Sequence, residues 1–594
     1  MDIIGRFFQA PLGSFFLSDV RGAGKSSGRV SSNDRSQNDR GALLVAAAVI
    51  VAIGLRAWAL YMRGALDYDE TYYYMLGKSL FSGKGYTLNG LPHTAFPPLY
   101  PIFCGLTSFV SANVLFCTAL ISVIAGGLLP IPVYFLAMDM HNRRVGVLAA
   151  ALVAVWPALW FFAVRRIPYV MRMYCGSEPL FTTLFIAGIL FLWLAARRDQ
   201  FWQGALAGGL IGLSALVRNE AAVMFAFLLF WFIVDRILFS VRPLCKKALQ
   251  AAVVAGAFAI VVSPWIIYVR SVSGQWSMGS KFSNLTRTLP TFYDWTQKGI
   301  SLPYVKIHYA LNADATQLED DYWGVSDWHK RHRSAAGGIK AALGLVRHSD
   351  FRWLPVLWRN FTVGPLPLIP RYVWLVLLLG AFLPPIGFKW SRGMLLYATM
   401  VVILVVQAVM IYAIARFQLP ILPLLAILAA RGMDALCRGA ASVTGALTHR
   451  LAPASAGYAA VAAGVMGLMV WDGAVCNYKL PRMIHTHGMT SSNQYDAELS
   501  RVLATALPSG SSVMCNNPWI ALDAGLEWRV SPFAAPELLV NYAISRKIDF
   551  AVLAVWQMPK VESRMALYPY LWRVIPLGNG LCGRAYRAWC SRVC

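Results

Sequence analysis

The chain has 594 residues, 58% of them hydrophobic and only 14% charged, with a mean hydropathy of +0.54. That is too apolar for a soluble chain of this length and fits a polytopic α-helical membrane protein. The 53 Lys and Arg against 28 Asp and Glu leave a net charge of +25. These basic residues are scattered through short loops, the pattern of membrane topology, and not gathered into a nucleic-acid surface.

In chain order, residues 1–41 are polar and carry Arg6, Arg21, Lys25, Arg29, Arg35 and Arg40, so a disordered basic cytoplasmic tail without a cleavable signal is expected. Apolar runs near 42–62, 113–138, 145–164, 177–196, 202–217, 220–239, 249–268, 372–388, 393–413, 417–431 and 456–471 predict about 11 transmembrane helices in a domain over 42–471. The loops holding Arg143 and Arg144, Arg197 and Arg198, Arg242, Lys246 and Lys247, Lys389 and Arg392, and Arg431, Arg438 and Arg450 then fall on the side of the N-terminus. That asymmetry makes the N-terminus cytoplasmic in an inner or plasma membrane, with the C-terminus outside.

After the first span the chain reads LDYDETYYYMLGKSLF, placing Asp67, Asp69 and Glu70 at the membrane lip. Asp67 and Glu70 have capping-box spacing, and Asp69 lies in a first turn where the helix dipole favours an acid. An interfacial helix over 67–84 is predicted, with Tyr72, Met75, Leu76 and Leu80 as its apolar stripe. A partly desolvated carboxylate there could also serve as a general base toward a hydroxyl. The return, GYTLNGLPHTAFPPLYP, is irregular and polar, as backbone lining a cavity is at membrane depth; Tyr86 and His93 in it, with Tyr72 and Tyr73 of the helix before it, are the candidate cavity-lining residues.

The loop 165–176 carries Arg165, Arg166 and Arg172 on the outer side, where the charge rule expects few. They read either as interfacial snorkellers or as ligands for an anionic lipid phosphate. A large external loop over 269–371 mixes Trp and Tyr with acids, which suits either an aromatic belt or sugar stacking. The tail 472–594 alternates strand-like segments (511–515, 549–556) with helical ones (495–507, 535–547), predicting a small extracytoplasmic α/β domain. Its Cys476, Cys515, Cys582, Cys590 and Cys594 allow one or two disulfides of undetermined pairing, or reduced thiols. The sequence shows no CxxC pair, no zinc-type Cys/His spacing, no P-loop and no GxGxxG between a strand and a helix.

The Asp-Glu pair opening an interfacial helix, the Gly-Tyr and Pro-Pro-Leu-Tyr-Pro return, SEPLFTTLFIAGILFLWL at 177–194, LSALVRNEA at 213–221, SPWIIYVRSVSG at 263–274 and ARFQLPILPLLAILAARG at 415–432 stand in one order. In that order they resemble the GT-C membrane glycosyltransferases, in the branch of glycosyltransferase family 39 and its RgtA/B/C/D-like relatives, which holds the aminoarabinose and dolichyl-phosphate-mannose type transferases. The resemblance covers about residues 42 to 432. It implies inverting transfer of a sugar from a polyprenyl-phosphate donor to a lipid, glycan or protein acceptor on the outer membrane face, with Asp69 as general base. It leaves Asp67 and Glu70 to support and gives Glu178 a positioning role. Where the aminoarabinose branch carries Glu-Lys before the Pro-Pro pair, this chain has Ala95-Phe96, so the metal and phosphate contacts of that pair do not carry over.

In a single displacement the lipid phosphate leaves as a stabilised anion, so a base and cations suffice and no general acid is needed. The donor-binding candidates are Arg416, Arg270, Arg172, Arg165 and Arg218, arginine being suited to a bidentate grip on phosphate. No metal site or cofactor is expected from the residues. The rival readings are a transporter or flippase for a lipid-linked substrate, an oligosaccharide transferase holding a metal through its acids, and a non-catalytic membrane scaffold. A transporter predicts repeated halves and ionisable groups in mid-span.

Overall fold

The apolar runs fold into long helices joined by short polar turns, and the computed structural model describes residues 32–61, 68–160, 176–274, 276–279, 358, 369–382, 392–410, 415–447, 454–486, 492–515, 517–531, 536–553, 573–576 and 587–590. Helix α1 (Ser32–Tyr61) begins ten residues before the expected span, inside the predicted basic tail. The first span is followed by α2 (Tyr68–Phe81), the short hairpin β1 (Thr87–Leu88) and β2 (Leu91–Pro92), and α3 (Leu99–Thr107). Then come α4 (Val114–Leu128), α5 (Pro130–Met140), α6 (Arg143–Val155) and α7 (Pro157–Trp160).

Four helices then run alternately up and down: α8 (Glu178–Arg198), α9 (Phe201–Val217), α10 (Glu220–Phe239) and α11 (Leu244–Ser273). Local chemistry sets their ends. Asn113 and Asn142 cap α4 and α6 by accepting from the backbone N–H of Phe116 and Val145. Glu178 opens α8 and Arg197 and Arg198 close it, each sign matched to the helix dipole, while Asp199 ends it at φ 58°. Gly274, at φ 72°, terminates α11.

The remaining membrane helices are α12 (Val373–Phe382), α13 (Arg392–Met410), a 3₁₀ segment at Ala415–Ile421, α14 (Leu422–Leu447) and α15 (Ala454–Thr486). Among the described residues six helices are long and apolar enough to cross a membrane, at Gly41–Tyr61, Val114–Met140, Glu178–Arg198, Glu220–Phe239, Leu244–Ser273 and Gln418–Ala440. The expected spans at 202–217, 393–413 and 456–471 correspond to shorter apolar helices, and those at 145–164 and 372–388 run into residues outside the described set. The chain is a multi-pass membrane protein. Small residues let its helices touch backbone to backbone, as bundles in lipid favour. A Cβ on Gly77 of α2 would strike the carbonyl of Pro101 in α3, and Cβ atoms on Gly380 and Gly432 would strike the backbone of the facing α14 and α12.

The two ends of the bundle are chemically distinct. At one end, Asp139 binds Arg197 at 2.7 Å, Asp199 pairs with Arg236 and Arg242, and buried Asp235 meets Arg392 at 3.4 Å. Arg197, Arg242 and Arg392, from three of the basic loops that the charge pattern assigned to one side, thus engage acids at one end. The other end collects the N-terminus of α8, the α9–α10 turn and the C-terminus of α11. Within the first span, Arg56 shares the buried seam of α1 with Ala52 and Ala59, and its Nη1 donates to the Ala52 carbonyl at 3.0 Å.

Beyond α15, which runs across residue 472 without a break, an α/β unit begins at α16 (Ser492–Ala506). It continues through β3 (Ser512–Cys515), α17 (Pro518–Asp523), β4 (Glu527–Val530), α18 (Pro536–Ser545), β5 (Phe550–Leu553), β6 (Arg573–Pro576) and β7 (Arg587–Cys590). The strands and helices expected at 511–515, 549–556, 495–507 and 535–547 are present, in a sheet of order β4-β3-β5-β7-β6. Strands β4, β3 and β5 are parallel, and β7 and β6 add antiparallel. Cys515 is buried at the end of β3, its thiol donating to the Asn517 carbonyl at 3.2 Å, while Cys582 and Cys594 lie outside the described residues.

Candidate functional site

Helix α2 presents Asp69 and Glu70 in its first turn. Asp69 is half-buried and Glu70 fully buried. The expected amphipathic stripe is not what the structure builds. Tyr72, Tyr73 and Tyr74 are consecutive and all buried, so the first turns of α2 are enclosed on every side and not laid flat on an interface. The α/β unit supplies one wall. Trp528 of β4 packs on Tyr72 with ring centroids 5.7 Å apart, and Trp519 of α17 joins Tyr74, Val114 and Cys117 in one apolar cluster.

A second wall comes from α8 and the α9–α10 turn. Arg218 Nη1 donates to Glu178 Oε1 at 2.6 Å and its Nη2 to Glu220 Oε1 at 3.0 Å, the Arg218 side chain being 7% exposed and that of Glu178 4%. The same Nη1 reaches Ser177 Oγ at 3.3 Å, and Ser177 shares a hydrogen bond with the Tyr73 hydroxyl, also at 3.3 Å. Tyr73 stands one helical turn from Asp69 on the same face. Burial first, then the negative charges of Asp69 and Glu178, push the Tyr73 hydroxyl far above its ordinary range against the opposing pull of Arg218, so it remains a hydrogen-bond donor.

Gly176 leaves room for Glu178 and Glu70 side by side. A Cβ there would stand 2.6 Å from Glu178 Oε2 and 3.9 Å from Glu70 Oε1, so the glycine keeps open the space that these acids share. Its carbonyl accepts from Ser122 Oγ at 2.8 Å, and Ser122 in turn meets the Tyr100 hydroxyl at 3.1 Å. Tyr73, Ser177, Arg218, Glu178 and Glu220 thus form one chain of contacts, with Glu70 across Gly176 from Glu178 and Asp69 one turn from Tyr73.

The return segment is fixed by its own polar atoms. Tyr86 donates its hydroxyl to the Phe96 carbonyl at 2.8 Å, and Tyr268 of α11 donates to the Tyr86 carbonyl at 3.0 Å. His93 accepts from the Phe96 N–H through Nε2 at 3.2 Å and stacks on the Phe96 ring. Tyr86 also meets Trp265 and Tyr268 edge-on. Tyr86 and His93 therefore shape the loop beside the acids, while Tyr72 and Tyr73 hold the acid helix between Trp528, Phe96 and Tyr100.

The expected cations divide. Arg218 is engaged by two carboxylates. Arg270 is exposed at the C-terminus of α11, with its guanidinium 5.7 Å from the Trp276 ring centroid. Arg416 lies in the 3₁₀ segment before α14, at the level of backbone only. Asp67, Arg165, Arg166 and Arg172, like most of the external loop 269–371, lie outside the described residues. Sequence reasoning missed Ser177, Glu220 and Ser122. Glu220, two residues after Arg218, was legible as a partner; the serines become functional only because α2, α4 and α8 meet there. Among the described residues, no group of three or more His, Cys, Asp and Glu side chains is arranged to hold a metal ion.

No family model matches the sequence, and no curated protein matches it. Among solved structures the chain is similar to ArnT from Cupriavidus metallidurans in its apo state, at 13% identity over 93% of this chain and 98% of that one, with a TM-score of 0.49. It is also similar to the same organism's ArnT bound to undecaprenyl phosphate, at 14% identity over 92% and 97% with a TM-score of 0.48. A third is the Archaeoglobus fulgidus oligosaccharyltransferase in complex with zinc and sulfate, at 15% identity over 89% and 71%, also with a TM-score of 0.48.

Proposed function

We propose that this chain is an inverting glycosyltransferase of the GT-C type that moves a sugar from a polyprenyl-phosphate donor to an acceptor hydroxyl on the extracytoplasmic membrane face. The observation that carries the reading is the half-buried Asp69 at the start of an enclosed helix, beside Glu70 and the buried Glu178–Arg218 pair. Ionisable groups enclosed by packing are costly, and a cluster of them marks a candidate site of chemistry. The order of the sequence motifs supports the same reading.

In the proposed step, Asp69 accepts the proton of the acceptor hydroxyl as its oxygen attacks the anomeric carbon. The bond from that carbon to the phosphate oxygen breaks, and its electron pair leaves on the lipid phosphate. Tyr73 and Ser177 hold α2 against α8, which keeps Asp69 at a fixed distance from Glu178. Arg218 offsets the charge of Glu178 and Glu220, a structural task that leaves the departing phosphate to other cations. Arg270, Arg416, Arg165 and Arg172 are the candidates for it, with Asp67 as a support at the lip. A cytoplasmic N-terminus places this end of the bundle, and the α/β unit packed on it, outside.

The test compares glycolipids and surface glycans by mass spectrometry in cells with the intact protein, without it, and with Asp69→Asn at matched membrane levels. Loss of one sugar unit in both altered strains, with accumulation of a polyprenyl-phosphate sugar, is expected; a base contributes about 10²–10⁴-fold in rate. An Asp69→Asn strain indistinguishable from the intact one sinks the assignment.

A further inference from the structure

Asn219 occupies the N-cap position of α10, where an asparagine ordinarily turns its side-chain oxygen back onto the first turn. It makes no such bond: only its main-chain carbonyl accepts, from Ala222 N–H at 3.1 Å. Its side chain is nevertheless buried, the residue being 6% exposed, and among the described residues neither Oδ1 nor Nδ2 has a hydrogen-bond partner. A buried primary amide with both ends unmatched is destabilising, so the position has room in its hydrogen bonding for a partner that the described residues do not supply.

The surroundings indicate what it faces. Nδ2 points at Gly279, where a Cβ would stand 3.2 Å from it and would also strike the Thr94 carbonyl. The segment bearing Gly279 is held in place: Trp265 donates to the Met278 carbonyl at 2.8 Å, and Ser277 Oγ accepts from Gly279 N–H at 2.9 Å. Gly279 has φ +131°, which an L side chain rarely adopts. Backbone from the return segment, backbone from the end of α11 and the Asn219 amide therefore bound one small polar niche. It lies directly beside Arg218, which links through Ser177 to Tyr73 and so to the helix of Asp69.

We infer that the Asn219 amide, in the niche formed with Thr94 and Gly279, binds a pair of ring hydroxyls of the donor sugar and so selects among sugars. An amide offers one acceptor and two donors, which matches two neighbouring hydroxyls acting as donor and acceptor. A phosphate offers acceptors only and would leave Oδ1 unmatched. This inference rests on the transferase reading above and names the residue that reads the donor.

The experiment uses the full chain in lipid nanodiscs, with undecaprenyl-phosphate-linked arabinose, mannose and glucose as donor probes and a membrane glycolipid extract as acceptor. Asn219→Leu removes both hydrogen-bonding ends at similar volume, while Asn219→Ser retains a hydroxyl and also serves if the leucine variant fails to fold. The expected result is a KM for the preferred donor raised about 10–100-fold with kcat changed far less, a narrowed preference between the sugars, and an intermediate shift for Asn219→Ser. Unchanged donor KM and sugar preference in both variants overturns the assignment while leaving the transferase reading intact. A KM shift confined to the acceptor extract also overturns the donor assignment. An intact protein that consumes none of the three probes, and whose Asp69→Asn form leaves cellular glycans unchanged, overturns the transferase reading and this inference together.

Discussion

Replacing Arg218 by methionine tests the site at its most constrained point. The guanidinium is 7% exposed and bonds Glu178 at 2.6 Å and Glu220 at 3.0 Å; Glu178 is 4% exposed and Glu220 20%. Methionine keeps the packing volume but leaves Glu178 buried without its counter-charge, across Gly176 from Glu70. Breaking a buried pair by removing one partner costs about 3–5 kcal/mol, most of it the penalty of the uncompensated charge. Glu220, being better solvated, adds little. In reversible unfolding of the detergent-solubilised protein followed by tryptophan fluorescence, Arg218→Met should lose that amount. Neutralising the orphan with Glu178→Gln in the same chain should recover about 1–3 kcal/mol, the coupling of groups in contact. A loss below about 1 kcal/mol, with no recovery in the double variant, would show that the pair is solvated and that Arg218 is available to a phosphate, contrary to the role argued here.

Gly77→Val should prevent α2 and α3 from meeting, because a Cβ there runs into the Pro101 carbonyl and Gly105; a loss beyond the usual 1–3 kcal/mol of overpacking is expected, read as a fall in folded yield. Trp528→Ala should loosen the α/β unit from α2, since the ring packs on Tyr72 and donates to the Cys515 carbonyl at 2.9 Å. Limited proteolysis of the tail should accelerate about tenfold or more, with Trp528→Phe close to the intact protein. His141, in the turn between α5 and α6, is pushed down to about 4 by burial and then by the nearby Arg431. A depressed histidine contributes stability that is present above its unfolded value of about 6.5 and is lost as pH falls toward 4. The intact protein should therefore lose stability over that window, and His141→Gln should flatten the profile.

The sequence alone determined the membrane class, the long helices and the α/β tail, because each is written in local hydropathy, charge and turn chemistry. It also placed Asp69, Glu70 and Glu178 at helix starts, where a dipole and a cap favour acids regardless of the rest of the fold. Three matters were left to tertiary structure. The amphipathic spacing of α2 predicted an exposed face, but Trp519 and Trp528, more than 400 residues later in the chain, cover it. Arg218 alone in the sequence suits a phosphate, whereas packing sets Glu178, forty positions away, against it. Ser122, Ser177 and Asn219 are unremarkable in sequence, since a short polar side chain is neutral on a surface and consequential only when burial removes its water. Periodicity is a property of neighbours along the chain, whereas the charge balance of a buried site depends on which distant elements the packing brings to one end of the bundle.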